Sequence, residues 1–330
     1  MKIGVIGAGS WGTVLAEILA ENHHEVILWA RNPKTAKAIQ RTRKNAAYLP
    51  DFSLCQGVTI TSSLHDAAQN ARVLVFVVPS KGMAAIAAQV AAITDAHNQI
   101  LLTCTKGFDL ATHKMMTDIL QDVFPKAEAI AALSGPNLAK EIAQKQPAAT
   151  VIACENVEKG QFLQELFMTS YFRPYTSTDV VGVELCGCVK NCIALVGGML
   201  DGLGYGENAK AGLITRGLAE ITRLGLQLGA RRDTFFGLAG VGDLIATCMS
   251  PLSRNHAAGV ALAHGKSMSE ILAGTPMVIE GIHTAPVVWE LARKYHTDMP
   301  IIGSLQEVLF HGKQVTTAIA ELMGRTAKKE

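Results

Sequence analysis

Short apolar runs alternate with segments of helical spacing over the first half of the chain. Six runs of strand-like composition occupy residues 2–9, 25–30, 58–63, 72–79, 99–107 and 129–136. Several of them are continuously apolar, which is typical of strands that are covered on both faces. The alternation therefore predicts a doubly wound, mostly parallel sheet. Two further runs, 148–154 and 171–177, extend the predicted sheet without indicating a strand direction.

From about residue 179 the strand pattern stops, and long segments of helical spacing follow. These segments occupy residues 180–203, 207–229, 237–248, 255–264, 281–296 and 301–311. A single hydrophobic core stops growing near ~250 to 300 residues, so a chain of 330 residues suits two domains. We expect an α/β domain at residues 1–180 and an all-α domain at residues 181–330.

Composition and charge exclude several classes of protein. With 49% hydrophobic and 18% charged residues, the chain has the composition of a compact globular protein. Its formal net charge is only +2, and binding to nucleic acid or an anionic membrane needs clustered Lys and Arg, so neither is expected. The start, MKIGVIGAGS, is too short for a signal-peptide core, and no run of about 18 apolar residues predicts a membrane span. We expect a cytoplasmic protein whose seven cysteines are reduced thiols.

A glycine-rich turn follows the first predicted strand and leads into a predicted helix. The segment GAGSWG, with Gly7, Gly9 and Gly12, matches the G-x-G-x-x-G pattern of dinucleotide-binding domains. These glycines allow a tight turn, close approach of the backbone to a pyrophosphate, and close packing of the helix on the strand. We therefore expect a Rossmann-type dinucleotide-binding domain. The alternative is a glycine-rich turn that binds nothing.

The end of the second predicted strand bears on which dinucleotide binds. NAD-binding domains usually carry Asp or Glu there for the ribose 2′-hydroxyl, whereas this chain has Ala30-Arg31-Asn32. A guanidinium suits a 2′-phosphate, so NADPH is the predicted preference, with NADH also accepted. The alternative is that Arg31 is a solvated residue at the start of the next helix.

A lysine and an asparagine, Lys190 and Asn191, interrupt the apolar, cysteine-rich run VELCGCVKNCIALVGG. On a helix, the small residues Gly187, Ala194 and Gly197 share the face of the lysine and leave room for a ligand or another backbone. Desolvation lowers the pKa of a half-buried lysine, which suits such a group to proton transfer near neutral pH. The alternative is a lysine that extends to solvent beside an asparagine that caps a neighbouring helix.

The cysteines of the same run do not form a metal-binding pattern. Cys186 and Cys188 are two positions apart, so on a helix they point to nearly opposite sides. Cys188 and Cys192 can share a face, but no nearby His, Asp or Cys completes a ligand set with zinc-like spacing. We therefore expect no metal site.

Other polar residues fall at positions where ligands bind. Lys106 lies at the carboxyl end of a predicted parallel strand, the edge at which open α/β sheets bind their ligands. Asp243 and Thr247 share one helical face, and the turn Ser253-Arg254-Asn255 follows. The guanidinium of Arg254 can hold a phosphate through two hydrogen bonds. Taken singly, each group also fits a surface helix with its cap.

Together these segments resemble bacterial NAD(P)-dependent glycerol-3-phosphate dehydrogenases. The blocks that carry the resemblance span almost the whole chain in the family's order: GAGSWGTVLA, LWARN, VVPS, TKG, LSGPNLAKEI, VELCGCVKNCIALVGGMLDGLGYGENAKAGLITRGLAEI, GLAGVGDLIATC, SRNHAAG and VIEGIHTA. The resemblance implies reversible reduction of dihydroxyacetone phosphate to sn-glycerol 3-phosphate, the backbone donor for phospholipid synthesis. It also implies a homodimer.

The resemblance also implies roles for individual residues. Lys190 would be the proton donor and acceptor at the substrate oxygen. The implied substrate contacts are Lys106, Gly135, Asn137, Asn191, Asp243, Thr247, Ser253, Arg254 and Asn255, of which the last three hold the phosphate. Besides the three glycines of the turn, the implied dinucleotide contacts are Ser10, Trp11, Arg31, Lys106, Ala139, Arg254 and Glu280.

Two departures from the family's pattern affect these assignments. The family usually has a small hydroxyl residue after SGP, and Asn137 stands there in this chain, so the hydrogen bond would come from an amide. Cys186, Cys188 and Cys192 replace residues that are commonly Gly, Ala or Val, which predicts that the helix around Lys190 is sensitive to oxidation.

Two other functions fit part of the pattern. A 3-hydroxyacid or ketopantoate-type reductase also pairs a dinucleotide domain with a helical domain and a catalytic lysine, and it would prefer a carboxylate substrate. A dinucleotide-binding sensor would bind NADPH without turning over a carbonyl substrate. The coincidence of Lys106, Lys190 and Asp243 argues against the sensor.

Overall fold

The computed structural model describes residues 1–251, 253–275, 278–327 and 329. The chain divides into two compact units, Met1–Glu184 and Leu185–Glu330. The limit between these units falls after residue 184, whereas the sequence pattern places the boundary after residue 180. All strands of the described chain end by Ser177, and the elements that follow are helical.

The first unit is built on an eight-stranded sheet. Its strands are β1 (Lys2–Ile6), β2 (Glu25–Trp29), β5 (Val58–Thr61), β6 (Val73–Phe76), β7 (Ile100–Thr103), β8 (Ala129–Ser134), β9 (Ala148–Cys154) and β10 (Phe172–Ser177). Their spatial order is β10-β9-β8-β7-β6-β1-β2-β5. Neighbouring strands are parallel except β8 and β9, which are antiparallel. The predicted doubly wound, mostly parallel sheet is confirmed, and the last two strands run against the others.

Helices cover both faces of this sheet. They are α1 (Ser10–Glu21), α2 (Pro33–Thr42), α3 (Leu64–Ala68), α4 (Met83–Ala91), α5 (Met116–Val123), α6 (Ala139–Ala143) and α7 (Val157–Phe167), with a 3-10 turn at Ser80–Gly82. On β6, Val73 and Val75 belong to the core that includes α1 and α7, while Leu74 and Phe76 belong to the core that includes α4 and α5. This alternation is what a strand buried on both faces requires.

A small hairpin lies outside the large sheet. Its antiparallel strands are β3 (Lys44–Asn45) and β4 (Leu49–Ser53). Most of its residues are exposed, and Asn45 and Leu49 are the buried positions within its strands. The sequence pattern does not predict the hairpin, because two short, largely polar strands carry no apolar run.

The second unit is helical, as predicted. The helices from the end of the first unit onward are α8 (Val180–Gly202), α9 (Glu207–Gln227), α10 (Asp243–Met249), α11 (Arg254–Ala263), α12 (Met268–Ala273), α13 (Glu280–Lys294), α14 (Pro300–Phe310) and α15 (Val315–Met323). A 3-10 turn at Arg232–Phe236 and a π-helical turn at Leu238–Gly242 precede α10. All six predicted helical segments are present, and α12 and α15 are additional.

Helix α8 is long and apolar enough to cross a membrane by length and composition alone. Its mean hydropathy reaches 1.7 over 18 residues, and 89% of that window is buried inside the protein. Glu184 and Lys190 interrupt it, so it contains no continuous apolar run of this length. Among the described residues, no other helix is both long enough and apolar enough to cross a membrane. Burial of this extent is characteristic of the central helix of a folded unit.

Two buried carboxyl groups bind the first-turn N–H groups of other helices. Glu184 accepts hydrogen bonds from the backbone N–H of Thr117, at 3.2 Å, and from its hydroxyl, at the start of α5. Glu220 on α9 accepts the N–H groups of Ile301 at 2.7 Å and Ile302 at 3.3 Å, at the start of α14. Burial raises the pKa of each carboxyl to about 7. Each therefore supplies a helix cap from a distant part of the chain.

Glycines let helices α8 and α11 approach closely. A Cβ at Gly198 would lie 1.9 Å from the carbonyl oxygen of His256, and one at Gly259 would lie 2.0 Å from that of Leu195. A Cβ at the adjacent Gly197 would meet nothing closer than 3.7 Å. The backbones of the two helices therefore touch at Gly198 and Gly259, and this contact determines where the start of α11 lies in the second unit.

Replacing Gly198 by alanine is expected to destabilise the protein strongly, because the new methyl group would overlap the backbone of α11. We expect Gly198→Ala to lower the free energy of unfolding by about 3 kcal/mol or more. The matched variant Gly197→Ala should be neutral or should stabilise by up to about 1 kcal/mol. Thermal and denaturant unfolding of both variants would measure this, and equal stabilities would contradict the proposed contact.

Glu220 is expected to make stability depend on pH. Its native-state pKa of about 7 lies above the ordinary 4.5, so between these values the native state holds a proton that the unfolded chain has lost. Stability from this group is therefore present at pH 4.5 and is lost as the pH rises towards 7 and above. The change is roughly 3 kcal/mol.

Unfolding midpoints from pH 4.5 to 8 for the wild type and Glu220→Gln would measure this effect. The variant is neutral in both states, so its stability relative to the wild type should increase as the pH rises. Glu158→Gln, at an exposed position, is the control and should follow the wild type. A constant difference between Glu220→Gln and the wild type would refute the prediction.

Candidate active site

The glycine-rich turn joins β1 to α1, where β2 and β6 flank β1 and the strand order reverses. Gly7 has a φ of +127°, and a Cβ there would lie 2.4 Å from the carbonyl oxygen of Val77. A Cβ at Gly12 would lie 1.9 Å from the carbonyl oxygen of Gly7, whereas one at Gly9 would meet no atom within 4 Å. Gly7 and Gly12 are thus required by the turn and the packing, and Gly9 borders open space that a phosphate can occupy.

The start of α1 is suited to bind an anion. The helix begins at Ser10 with Gly9 as its N-cap residue, no side-chain cap bond and no acidic residue in its first turn. Its first N–H groups and the helix dipole are therefore available to a phosphate. The ring of Trp11, the next residue, packs edge-on against Phe172 with centroids 6.0 Å apart. These features fit the pyrophosphate of a dinucleotide.

Arg31 lies two residues after the end of β2, the strand beside β1. It is exposed, and the next residue, Asn32, caps α2 by accepting hydrogen bonds from the N–H groups of Lys34 at 2.8 Å and Thr35 at 3.3 Å. The cap is therefore complete without Arg31. Its guanidinium is in solvent at the carboxyl end of a strand, which is compatible with either interpretation of this residue.

A second group in the first unit surrounds Gly135. Lys106 donates to the carbonyl oxygen of Gly135 at 3.1 Å. Asn137 donates through Nδ2 to the hydroxyl of Thr150 at 3.0 Å, and that hydroxyl donates to the carbonyl oxygen of Ser134 at 3.1 Å. The Oδ1 atom of Asn137 is buried and has no hydrogen-bond partner among the described residues. A ligand group that bonds to this oxygen must therefore be a hydrogen-bond donor. Ala139 begins α6 just beyond this turn.

Lys190 is buried in the second unit and is paired with a carboxylate. Only 7% of the residue is exposed, and its Nζ lies 2.5 Å from Oδ1 of Asp243. It also donates to the hydroxyl of Thr247 at 2.8 Å, and that hydroxyl donates to the backbone carbonyl oxygen of Asp243 at 2.6 Å. The expectation of a half-buried lysine is wrong, as is the alternative of a solvated one, because α8 is enclosed on every side from residue 182 to 200.

Local backbone geometry brings Asp243 to this position. The π-helical turn Leu238–Gly242 leads directly into α10, and Asp243 is the first residue of that helix. A Cβ at Gly240 within the turn would lie 2.1 Å from the carbonyl oxygen of Phe235, so only glycine fits there. π-helical turns are frequent at functional sites. The helix dipole also stabilises a carboxylate in the first turn of α10.

A chain of amide hydrogen bonds links α8, α11 and α13. Asn255 donates to Oδ1 of Asn191 at 2.9 Å and accepts the backbone N–H of Gly281 at 2.9 Å. Asn191 donates to the carbonyl oxygen of Gly187 at 3.3 Å. Asn191 is therefore part of a buried network and is not a helix cap, which corrects the alternative interpretation of this residue.

The turn after α10 leads into this network. Ser253 caps α11 by accepting the N–H of His256 at 3.3 Å. Arg254, the first residue of α11, is exposed and donates to the carbonyl oxygen of Val278 at 2.6 Å. Glu280 is the first residue of α13. The structure thus collects the predicted site residues into two groups, one in each unit.

The cysteines near Lys190 are buried thiols. None of the seven cysteines of the described chain forms a disulfide, and the described residues contain no cluster of three or more metal-binding side chains. Burial raises the pKa of Cys248 to about 12 and raises the pKa of Cys192 well above its ordinary value. Because the thiolate is the species that reacts with oxidants, burial opposes the oxidation sensitivity expected from the sequence.

The structure combines a glycine-rich turn after the first strand of a mostly parallel sheet with a helical unit that holds a buried lysine–carboxylate pair. This combination fits an NAD(P)-dependent oxidoreductase. A family model described as the N-terminus of NAD-dependent glycerol-3-phosphate dehydrogenase matches residues 2–160. The model described as the C-terminus of the same enzyme matches residues 179–320. The chain belongs to the NAD-dependent glycerol-3-phosphate dehydrogenase family, and the resemblance found in the sequence is confirmed.

Individual relatives match over their full length. A glycerol-3-phosphate dehydrogenase (NAD(P)+) of Streptomyces griseus is 47% identical, covering 100% of this chain and 98% of that protein. One from Limosilactobacillus reuteri is 43% identical, with the same coverage of 100% and 98%. The crystal structure of glycerol-3-phosphate dehydrogenase from Coxiella burnetii has a TM-score of 0.94 at 33% identity, covering 98% of this chain and 99% of that one.

Proposed function

We propose that this chain catalyses the reversible reduction of dihydroxyacetone phosphate to sn-glycerol 3-phosphate and so supplies phospholipid synthesis. The observation that carries the proposal is the buried cluster of Lys190, Asp243 and Thr247 in a chain of this family. Glycerol-3-phosphate dehydrogenase activity is the named activity of relatives that match the entire chain.

The first unit is the proposed dinucleotide-binding domain. Its glycine-rich turn and the open start of α1 would bind the pyrophosphate. Besides Gly7, Gly9 and Gly12, the proposed dinucleotide contacts are Ser10, Trp11, Arg31, Lys106, Ala139, Arg254 and Glu280. NADPH is the proposed preference, because the exposed guanidinium of Arg31 can pair with a 2′-phosphate.

The second unit is the proposed catalytic and substrate-binding domain. When bound, the nicotinamide would supply the hydride for the carbonyl carbon of the substrate. Lys190, as an ammonium group, stabilises the developing alkoxide and donates a proton from Nζ to its oxygen. In the reverse direction the neutral amine accepts that proton. Asp243 and Thr247 hold Nζ in one position, so it needs no reorganisation during the reaction.

Binding of the substrate is assigned to residues from both units. Ser253, Arg254 and Asn255 are proposed to hold the phosphate, and the binding energy gained there maintains the geometry at the carbonyl group. The further proposed substrate contacts are Lys106, Gly135, Asn137, Asn191, Asp243 and Thr247. The unpartnered oxygen of Asn137 favours a hydroxyl group of the substrate as its donor.

The proposed location is the cytoplasm, and the proposed assembly is a homodimer. The cysteines support the location, because all seven lack disulfides in the described chain and six of them are buried thiols. Size-exclusion chromatography with light scattering would test the assembly, and a monomer at micromolar concentration would contradict it.

The function is tested by nicotinamide absorbance with purified protein, dihydroxyacetone phosphate and NADPH or NADH. We expect turnover in the wild type and a loss of about 10²- to 10⁴-fold in Lys190→Met, because the proton donor is missing. The double variant Lys190→Met/Asp243→Asn removes both buried charges and guards against misfolding caused by an unpaired Asp243. Both variants should still bind NADPH. Wild-type turnover in Lys190→Met, or a preference for a carboxylate substrate such as ketopantoate, would refute the proposal.

The role of Arg31 is tested by its effect on cofactor preference. Arg31→Ala should reduce kcat/KM for NADPH about tenfold and leave that for NADH unchanged, because only NADPH carries the 2′-phosphate. Lys34→Ala, which removes another exposed positive charge near the start of α2, is the matched control. An equal loss for both dinucleotides would show that Arg31 does not recognise the 2′-phosphate.

A further inference from the structure

The hairpin β3–β4 contacts the glycine-rich turn through one buried side chain. Asn45, only 1% exposed, donates through Nδ2 to the carbonyl oxygen of Ala8 at 3.0 Å and to the hydroxyl of Thr13 at 2.9 Å. The hydroxyl of Thr13 donates in turn to the carbonyl oxygen of Gly9 at 2.8 Å. The hairpin and the turn are therefore connected by a continuous series of hydrogen bonds.

The orientation of the Asn45 amide follows from this series. Thr13 uses its hydroxyl proton on Gly9, so it can only accept from Asn45, and the atom facing it must be the amide nitrogen. Both N–H groups of the amide are then used. Its oxygen is buried without a hydrogen-bond partner among the described residues. The two hydrogen bonds that the amide donates are therefore the only ones it makes to the described residues. Aspartate and leucine have a similar shape but cannot donate these bonds.

These bonds determine which way the peptide groups of the turn face. In a planar trans peptide the C=O and the following N–H point in opposite directions. The Ala8 carbonyl faces Asn45, so the N–H of Gly9 points away from it. The Gly9 carbonyl accepts from the hydroxyl and the N–H of Thr13, so the N–H of Ser10 points away from α1. Two consecutive N–H groups are thereby directed away from the hydrogen bonds that the described residues make with one another.

The hairpin that carries Asn45 is itself anchored at its base. Arg43, with a φ of +57° at the end of α2, donates to the carbonyl oxygens of Cys55 and Val58, the latter at 2.7 Å. Near the tip, Ser10 donates to the carbonyl oxygen of Tyr48 at 3.4 Å. Asn45 therefore lies in a hairpin that is attached to the rest of the first unit both at its base and near its tip.

We infer that Asn45 is a positioning residue for dinucleotide binding: it holds the turn so that the N–H groups of Gly9 and Ser10 are oriented for a pyrophosphate before the ligand arrives. The inference rests on the proposed function. Asn45 itself touches no ligand and acts through the Ala8 and Gly9 carbonyls. Without Asn45, the turn becomes ordered only when the dinucleotide binds, and this ordering weakens the affinity for the dinucleotide. The proton transfer proposed for Lys190 is not affected.

The test compares Asn45→Leu and Asn45→Asp with the wild type by NADPH fluorescence titration of the purified, substrate-free protein. Both variants should raise the dissociation constant for NADPH about tenfold or more. Without the hydrogen bonds of Asn45, the backbone of about one residue of the turn becomes ordered only when NADPH binds, and this ordering costs binding free energy. Asn45→Asp should be the weaker binder, because its carboxylate faces two oxygen atoms. At saturating NADPH, kcat and the KM for dihydroxyacetone phosphate should stay within about twofold of the wild type.

Controls separate the possible outcomes. Lys44→Ala changes the exposed neighbour on β3 and should bind NADPH as the wild type does. If the wild type binds NADPH and Asn45→Leu binds it equally well, the inference is overturned while the proposed function stands. A fall in kcat of Asn45→Leu at saturating NADPH that parallels a lower unfolding midpoint would also overturn it, because the residue would then be merely structural. If the wild type binds no dinucleotide, the proposed function fails first.

Discussion

The buried ion pair between Lys190 and Asp243 is the interaction on which the helical unit depends. Removing two charges from water costs several kcal/mol for each, and only close pairing with further hydrogen bonds offsets that cost. The 2.5 Å contact and the hydroxyl of Thr247 meet this requirement. In the proposed function, they also leave a buried ammonium group that would interact strongly with charge that develops on a substrate. The pair that stabilises the helical unit is thus also the group to which the proposed function assigns proton transfer.

Close helix contacts bring the remaining polar groups to this pair. The backbones of α8 and α11 touch at Gly198 and Gly259, and a Cβ at Gly281 would lie 2.6 Å from the carbonyl oxygen of Asn191. These approaches let Asn255 bond to both Asn191 and the N–H of Gly281. The amide network and the glycine contacts therefore depend on each other, and a methyl group added at one of the glycines would displace the network.

In the first unit, glycines that allow close backbone contacts and a buried polar side chain likewise hold a loop in position. Gly7 and Gly12 permit a turn in which backbone groups nearly touch, and Asn45 fixes the direction of its carbonyl groups. The result is a set of N–H groups at the start of α1 that find no acceptor among the described residues. In both units, buried polar side chains hold other groups in position, and glycine allows the close approach that those bonds require.

The sequence by itself determined the order and type of most elements, because strands buried on both faces are continuously apolar and long helices keep their periodicity. It also determined the family and the glycine-rich turn, since both depend on local runs of residues. It missed α12, α15 and the hairpin that carries Asn45, because these elements are too short for their periodicity to stand out. Only the tertiary structure decided the reversed direction of β9 and β10, the burial of Lys190 and its pairing with Asp243, 53 residues away. Such pairs depend on how helices pack against one another, and periodicity along the chain does not encode that packing.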